Sequence, residues 1–225
     1  MEMAAFWDQV DREIAKFDLL QHPFYQAWSA SELTMRDLKY YGEQYFHQVS
    51  SFPTYLTRLH SRLPDGAMRR EVLANALEEE TEPCPHSDLW LRFVEGMGAE
   101  GQASTESHPI PEVAALVNEF RSISANAPIA AAFGALFAYE SQVPRIACGK
   151  LNGLKQHYGA DDRTCSYFAL HMKADVHHSG DWRRIISELV EQDEHHVAEA
   201  LDGVSQAARA LWTALDGIER ERRLQ

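Results

Sequence analysis

The helical character of the chain is clearest in residues 40–60, which read YYGEQYFHQVSSFPTYLTRLH. Large apolar side chains recur there at helical spacing, so they share one face of a helix with 3.6 residues per turn. The members of this face are Tyr41, Tyr45, Phe52, Tyr55, Leu56 and Leu59. A capping box that begins the helix can form from Ser29 with Glu32 or from Thr34 with Asp37.

Helical spacing continues on both sides of this segment, and no stretch combines strand alternation with hairpin turn signals. The further predicted helices cover residues 66–82, 87–97, 128–158, 161–178 and 181–223. Pro53 and Pro144 are expected to kink or bend their helices, because proline lacks the amide proton and clashes with the preceding turn. Ser179 and Gly180 are expected to separate the last two helices. We therefore predict an all-α fold with a single domain over residues 1–225.

The composition limits the classes of function that the chain can have. With 225 residues, of which 45% are hydrophobic, it can bury one sizeable core unaided. The net charge of −13 repels phosphate groups, so neither nucleic acid nor an anionic membrane surface is an expected partner. The longest apolar run, residues 127–139, is shorter than the roughly 20 residues that span a bilayer. The start of the chain does not read as a signal peptide, and three distant cysteines without a C-x-x-C pair suit a reducing, cytoplasmic setting.

Residues 96–101 spell G-x-G-x-x-G, the pattern of dinucleotide-binding turns. That pattern carries the function only after a strand, whereas here it follows a helical stretch, so we interpret it as a glycine-rich helix end. The polar residues 98–111 are predicted to form a loop and not a domain boundary. The motifs G-x-x-x-x-G-K-[ST], G-x-S-x-G and H-E-x-x-H do not occur, which leaves the common nucleotide, hydrolase and zinc-protease functions without support.

The strongest chemical signal lies in residues 171–178, which read His-Met-Lys-Ala-Asp-Val-His-His. His171, Asp175 and His178 are four and three residues apart, so they project from one face of a helix, one turn apart. Such a ladder can bind a metal ion. A solvated helix face with a contact between Asp175 and a histidine explains the same residues equally well. His177 points away from this face and is expected at the surface.

Glu140 is a second signal, because it is the first charged residue after the apolar run at 127–139. A carboxylate on a helix apolar enough to be central must be paired or must bind a cation, since leaving it alone costs several kcal/mol. A salt bridge with Arg145 or Lys150 would satisfy it as well as a metal ion would.

A third signal combines the acidic run at 78–80 with His86, across the prolines Pro83 and Pro85. Glu79 at the end of one helix and His86 at the start of the next can converge on a point between the helices. An acidic run taken alone is more typical of a solvated helix face. The proline pair also prevents any helical prediction of the geometry that links the two residues.

Together the three signals supply three carboxylates and three imidazoles from separate helices. The six candidate ligands are Glu79, His86, Glu140, His171, Asp175 and His178. Two divalent cations of the iron or manganese type prefer such donors, because bridging carboxylates offset the repulsion between the ions and neutral imidazoles complete each shell. The sequence therefore predicts a di-metal site, which accepts either two irons or a manganese–iron pair.

The order of these residues, Glu-x6-His, then Glu, then His-x3-Asp-x2-His, resembles that of the heme-oxygenase-like di-metal oxidases. Within them the match is close to proteins similar to the chlamydia protein associating with death domains, the self-sacrificing 4-aminobenzoate synthases. The resemblance extends to residues 22–28, 40–47 and 139–140. It implies the helical bundle that heme oxygenases share with the TenA and PqqC proteins, and a reaction that needs dioxygen and an external reductant.

The resemblance also implies roles for four residues outside the metal site. In that family a tyrosine of the protein provides the aromatic ring of 4-aminobenzoate and a nearby lysine provides the amino group; the matching positions are Tyr25 and Lys150. Tyr41 and Tyr139 match tyrosines close to the metals, which makes them candidates to relay a radical or to position Tyr25. Lys150 follows Glu140 by ten residues, nearly three turns, which places both on one face of the predicted helix.

Two other functions are alternatives. An oxygenase acting on an external amino acid or fatty acid would share all six ligands. A non-catalytic interaction protein would have no use for them. We interpret Tyr45 and Tyr55 as core aromatics. The sequence does not identify the electron donor, and it is compatible with a homodimer.

Overall fold

The computed structural model describes residues 2–224, apart from the side chains at 102–104. The described residues contain no strand, so the all-α prediction is confirmed. The α-helices are α1 (Met3–Ala15), α2 (Pro23–Ser29), α3 (Met35–Arg62), α4 (Ala67–Thr81), α5 (His86–Gly96), α6 (Gly101–Glu106), α7 (Pro111–Asn126), α8 (Ile129–Glu140), α9 (Val143–His157), α10 (Ser166–Gln192) and α11 (His195–Leu224). A short 3-10 helix at Leu19–Gln21 precedes α2. Within residues 2–224, no helix is both long and apolar enough to cross a bilayer.

Helix α3 contains residues 40–60, whose spacing predicts a helical fold. Its capping box forms from Thr34, which accepts a hydrogen bond from the amide of Asp37 at 3.2 Å, and from the Asp37 carboxylate, which accepts one from the amide of Thr34 at 2.7 Å. Ser29, the other candidate, lies at the end of α2. Pro53 lies inside α3, which continues through it to Arg62.

Helix α8 lies in the centre of the bundle, as its apolar sequence predicts. Every residue from 130 to 140 is buried, and the helix packs against α11. A Cβ atom at Gly134 would lie 2.4 Å from the carbonyl oxygen of Ala200, and one at Gly203 would lie 2.0 Å from that of Ala131. No side chain fits at those distances, so the two glycines permit the two backbones to approach closely.

The predicted helix over residues 128–158 is wrong in one respect, because it consists of two helices, α8 and α9, with Gln142 at the break. The Gln142 side chain donates to the carbonyl of Ala138 at 2.9 Å and accepts from the amide of Leu19 at 3.3 Å. These bonds satisfy backbone groups that lack a helical partner. Pro144 lies in the first turn of α9, where its missing amide proton is not needed, and so it bends no helix.

A second correction concerns Ser179 and Gly180, which do not interrupt a helix. Helix α10 continues through both, and the break falls at residues 193–194. The Ser179 hydroxyl donates back to the carbonyl of Asp175 at 2.6 Å, inside the helix. Buried side chains such as Trp182 hold α10 against its neighbours, and this packing outweighs the low helix propensity of glycine, about 1 kcal/mol.

Two helices begin at residues other than those predicted. Helix α10 begins at Ser166, because Asp161 instead closes a preceding turn by accepting from the amide of Thr164 at 2.8 Å. Helix α5 begins at His86, so Ser87 lies inside the helix and is not its cap. His86 therefore occupies the first turn of α5, directly after the proline pair.

The glycine-rich segment ends a helix, as expected. Helix α5 ends at Gly96, and Gly98 has a φ of 86°, in the left-handed region that favours glycine. The predicted loop at residues 98–111 contains the short helix α6, and α7 follows it without having been singled out by its sequence pattern.

Four helices carry polar residues into the core. Helices α4, α5, α8 and α10 hold the six candidate ligands, and α10 packs against the other three. The apolar residues around them belong to one hydrophobic cluster. A site with many charged groups is therefore enclosed by aliphatic and aromatic side chains.

Candidate metal centre

Six buried polar side chains converge where α4, α5, α8 and α10 meet. They form two groups, and within each group the possible ligand atoms lie within 4.8 Å of one another. The first triad is Glu79, His86 and His171, and the second triad is Glu140, Asp175 and His178. All six residues singled out in the sequence are therefore brought together.

In the first triad, Glu79 faces two imidazoles. Its Oε2 lies 2.9 Å from Nδ1 of His86, and its Oε1 lies 3.8 Å from Nε2 of His171. The two imidazole rings meet edge to face, with centroids 4.8 Å apart. One carboxylate from α4 thus lies against one imidazole from α5 and one from α10.

Hydrogen bonds fix which nitrogen of each imidazole faces Glu79. Nε2 of His86 donates to the main-chain carbonyl of Glu82 at 2.9 Å, and Nδ1 of His171 donates to that of Tyr167 at 2.8 Å. Because a carbonyl oxygen only accepts, these two nitrogens carry protons. The opposite nitrogens are left facing Glu79, which is how metal-binding histidines are commonly oriented.

Nδ1 of His86 shows that the first triad suits a cation. It lies 2.9 Å from Oε2 of Glu79, is buried, and makes no hydrogen bond within the part of the chain that the structure describes. A nitrogen lone pair and a carboxylate oxygen repel each other at that distance unless a positive charge lies between them. An iron or manganese ion prefers this pair of donors, so the residues present fit the ions that the sequence implies.

The second triad repeats this arrangement around His178. Its Nδ1 lies 3.2 Å from Oε1 of Glu140 and 3.3 Å from Oδ1 of Asp175. Its Nε2 lies 3.1 Å from Oε2 of Glu78, a residue outside the triad. One nitrogen of the ring again faces carboxylates, and the other is held by a separate acceptor.

Glu140 is also held by neutral donors. Nδ2 of Asn75 donates to its Oε1 at 3.2 Å, and Nε1 of Trp182 donates to its Oε2 in a short hydrogen bond. Burial raises the pKa of Glu140, and hydrogen bonds from such donors oppose this by favouring the charged form. Neutral donors also fix the carboxylate without cancelling the charge that a cation would bind.

The salt-bridge alternative for Glu140 is wrong. The guanidinium of Arg145 lies 3.3 Å from Oδ1 of Asp18, and Nζ of Lys150 faces two tyrosine hydroxyls. The break between α8 and α9 changes the helical phase that placed Lys150 and Glu140 on one face.

Contacts within the triads shift pKa values against the effect of burial. Burial raises the pKa of Glu79, but its close contacts with the imidazoles of His171 and His86 outweigh burial and bring this pKa to about 2. Burial lowers the pKa of His171, but the carboxylates of Asp175 and Glu79 raise it to about 9. For His178, hydrogen bonds to Asp175 and Glu140 outweigh burial and raise the pKa to about 12. A cation that enters either triad therefore competes with protons on these imidazoles.

Lys150 lies beside two tyrosine hydroxyls. Its Nζ lies 2.9 Å from the Tyr25 hydroxyl and also donates to the Tyr41 hydroxyl, and the two hydroxyls lie 3.2 Å apart. The lysine is only 6% exposed, and this burial lowers its pKa well below the ordinary value. Burial raises the pKa of Tyr25. Burial therefore favours the neutral form of the amine and the protonated form of the phenol, and these two groups are in direct contact.

Two small cavities lie beside this pair and beside the triads, and they share two lining residues. One, of about 30 Å³, is lined by Tyr25 and Lys150 among other residues. The other, of about 10 Å³, is lined by members of both triads. Tyr139 and Tyr167 line both cavities and so form the wall between the candidate ligands and the lysine–tyrosine pair.

Two tyrosines near the site were missed or misread in the sequence. The ring of Tyr167 stacks on that of His171 with centroids 3.9 Å apart, and Tyr45, interpreted as a core aromatic, lines the 30 Å³ cavity. The position of Tyr167, four residues before His171 and hence one turn away, is the signal that could have found it. Tyr55 is a core aromatic as expected, and its hydroxyl donates to Gln48 at 3.0 Å.

Comparison with known proteins identifies the family. Residues 39–212 match a family model described as an iron-containing redox enzyme. The chain belongs to that family. It is therefore an oxidoreductase, and the two triads of iron-type ligands support a di-metal site in it.

Relatives of this iron-containing redox enzyme carry a more specific name. A 4-aminobenzoate synthase of Nitrosomonas europaea is 40% identical over 97% of this chain and 92% of the relative. A 4-aminobenzoate synthase of Chlamydia pneumoniae is 31% identical over 96% of each chain. A TenA homolog from Pseudomonas syringae has the same fold, with a TM-score of 0.84 at 18% identity over 98% of this chain and 96% of that one. The resemblance and the heme-oxygenase-like bundle are thereby confirmed.

Metal binding by this redox enzyme is expected to weaken as the pH falls. The pKa values of His171 and His178, about 9 and about 12, lie above neutrality, so each triad must release a proton before its imidazole binds an ion. Between about pH 8 and about pH 6, the dissociation constant for Mn²⁺ should rise roughly tenfold per pH unit at each triad. Titration of the metal-free protein, with free Mn²⁺ counted by electron paramagnetic resonance, measures this slope. Binding that does not change over the range would mean that both imidazoles are already neutral.

Proposed function

We propose that this protein is an oxygen-dependent di-metal oxidase that makes 4-aminobenzoate, a folate precursor, with the ring taken from Tyr25 and the amino nitrogen from Lys150. The observation that carries the proposal is the buried contact of Nζ of Lys150 with the Tyr25 hydroxyl at 2.9 Å, beside the two triads. Relatives named 4-aminobenzoate synthase, which match nearly the whole chain, support the same product.

In this proposal each triad binds one metal ion. The donors accept two irons or a manganese–iron pair. When bound, the ions would supply the activation of dioxygen, with electrons from an external reductant. The triads have the carboxylates that such ions need and imidazoles already turned toward them.

Lys150 suits the role of nitrogen donor because burial lowers the pKa of its amine and so favours the neutral form. A neutral amine has a lone pair with which to attack a ring carbon, whereas an ammonium group has none. Tyr41 contacts both partners, since its hydroxyl accepts from Nζ and lies 3.2 Å from the Tyr25 hydroxyl. We assign Tyr41 to positioning this pair. We assign Tyr139, which lines both cavities, to relaying the oxidation from the metal centre to Tyr25.

The carbon count of the product fixes which bond of Tyr25 must break. 4-Aminobenzoate contains an aromatic ring and one further carbon, and a tyrosine side chain contains the same ring and Cβ. Cβ therefore becomes the carboxylate carbon by oxidation with dioxygen, and the bond between Cα and Cβ breaks. At the opposite end of the ring nitrogen replaces the phenolic oxygen, which leaves as water, and the bond between Cε and Nζ of Lys150 breaks to release that nitrogen. Each chain reacts once, because Tyr25 is consumed.

The size of the cavity argues against an external substrate. The space beside Lys150 is about 30 Å³. A cavity that admits benzene measures about 150 Å³. The ring of Tyr25 occupies the place next to the amine that an external aromatic or fatty acid would need, which favours the internal tyrosine over the oxygenase alternative.

A labelling experiment tests the proposal. Protein expressed with ring-labelled tyrosine is purified and given iron, reductant and dioxygen, with no other substrate. Labelled 4-aminobenzoate should form, with no more than one molecule per chain, and peptide mapping should find the lost mass at Tyr25. Unlabelled product, or many turnovers with an added small molecule, would identify an oxygenase with an external substrate.

Further sequence predictions complete the proposal. They are a single domain over residues 1–225, a cytoplasmic setting, an external electron donor, no nucleic-acid partner and a chain that can form a homodimer. The three cysteines are free thiols, which supports the reducing setting.

A further inference from the structure

Each histidine of the two triads has an outer nitrogen, the ring nitrogen that faces away from its triad. Of the three, His178 is the one whose outer nitrogen contacts a side chain, that of Glu78. The outer nitrogens of His86 and His171 donate to main-chain carbonyls. Nε2 of His178 instead lies 3.1 Å from Oε2 of Glu78, a carboxylate from α4. A main-chain acceptor cannot be removed by substitution, but this one can.

We propose that Glu78 is a positioning residue of the metal centre, which holds the His178 ring so that Nδ1 faces the carboxylates of Glu140 and Asp175. The inference rests on the proposed function, because it requires that the second triad binds an ion. Glu78 acts through His178 and does not touch the ion. A carboxylate in this position fixes the tautomer and the orientation of the imidazole and makes the ligand nitrogen more basic.

The three carboxylates of the acidic run at the end of α4 lie in different environments. Glu79 is buried in the first triad, Glu78 is partly buried and reaches His178, and Glu80 is exposed. Successive residues of a helix point about 100° apart, so neighbouring carboxylates can serve two sites. Asn75, one turn earlier on α4, donates to Glu140 of the second triad at 3.2 Å. Helix α4 thus supports the second triad at two points.

An open cavity explains why the orientation of His178 depends on Glu78. The cavity has a volume of about 260 Å³, and its walls include Glu78, His177 and His178. The Glu78 side chain is 36% exposed, whereas that of His178 is only 8% exposed. Without this carboxylate, water from the cavity would bond to Nε2, and the ring would lose the acceptor that fixes its rotation. His86 and His171 do not line this cavity, so the first triad should be unaffected.

Metal binding separates this role from that of an ordinary surface contact. A half-exposed contact between a carboxylate and a histidine commonly has little effect on folding. A positioning residue affects the affinity of one ion site, because its partner must present a lone pair in a fixed direction. The two roles therefore differ in how many Mn²⁺ ions the protein binds tightly.

The experiment titrates the metal-free protein with Mn²⁺ and counts free ions by electron paramagnetic resonance. The wild type should bind two ions. Glu78→Ala should bind one ion as the wild type does and the other about 10- to 100-fold more weakly. Glu78→Gln should recover much of this loss, because its amide oxygen still accepts from Nε2. The thermal unfolding midpoint of the metal-free variants should stay close to that of the wild type.

Two further variants control for charge and for the partner. Glu80→Ala removes an equal charge from the next residue but one and should bind both ions as the wild type does. His178→Ala should lose the same site as Glu78→Ala, and adding Glu78→Ala to it should cause no further loss, because the two residues act as one unit.

Three outcomes would overturn the inference. Two tightly bound ions in Glu78→Ala, or an equal loss in Glu80→Ala, would remove the role of Glu78 while leaving the metal centre intact. A wild type that binds fewer than two ions would overturn the proposed centre itself, and this inference with it.

Discussion

Replacement of Tyr25 by phenylalanine is expected to abolish 4-aminobenzoate formation while metal binding persists. The phenyl ring lacks the hydroxyl that lies 2.9 Å from Nζ of Lys150, so it has no oxygen for the amino group to replace and is much harder to oxidise. The ring can keep its contacts with Phe24 and Tyr41, so the fold should be preserved. Mass spectrometry of the product and metal analysis of the same sample measure both effects.

Tyr55→Phe is the matched control for this change. It removes another buried hydroxyl, one that donates to Gln48 and lies outside the cavities of the site. We expect it to cost about 0.5–1.5 kcal/mol of the free energy of unfolding and to leave the yield unchanged. Wild-type yield from Tyr25→Phe would mean that the ring of the product comes from another source.

Replacement of Lys150 by arginine should also abolish the product. A guanidinium group stays protonated in proteins and is a poor amine donor, whereas burial lowers the pKa of the lysine amine and favours the form with a free lone pair. If Lys150 acted only as a positive charge, arginine would replace it tolerably. Product yield and bound metal after loading with iron, reductant and dioxygen distinguish the two roles.

Other variants guard against misfolding and identify the nitrogen. Lys150→Met fills a similar volume without a charge and should likewise yield no product but retain metal. Lys155→Arg changes an exposed lysine of the same helix, paired with Asp162 at 2.7 Å, and should react normally. Protein grown with nitrogen-labelled lysine should release labelled 4-aminobenzoate. Full product from Lys150→Arg would point to another nitrogen source.

Much of the fold and of the candidate site follows from local spacing. The all-α class follows from periodicity within segments such as α3. The sequence offers two candidate capping boxes for this helix, and the one that forms, Thr34 with Asp37, spans only three residues. The common face of His171, Asp175 and His178 is likewise a property of one helix. Local patterns of this kind need no knowledge of the neighbours.

Features that depend on contacts between distant segments were not predictable. Gln142 stabilises the break between α8 and α9 through the amide of Leu19, which is remote in sequence. Gly180 stays helical because packing around α10 outweighs its propensity. The division of the six ligands into triads, and the contact of Glu78 with His178, arise only when α4 meets α10.

Under the proposed function, the burial of Tyr25 would also determine what happens to the chain after its reaction. The residue is 4% exposed and packs against Phe24 and Tyr41. Loss of a large aromatic side chain from a core costs about 3–5 kcal/mol, out of a total stability of about 5–15 kcal/mol. A spent chain would therefore unfold far more often than a fresh one, and proteases degrade proteins in proportion to their unfolded fraction. Each molecule would be degraded soon after it released its product. The supply of 4-aminobenzoate would then follow the rate at which the protein is synthesised.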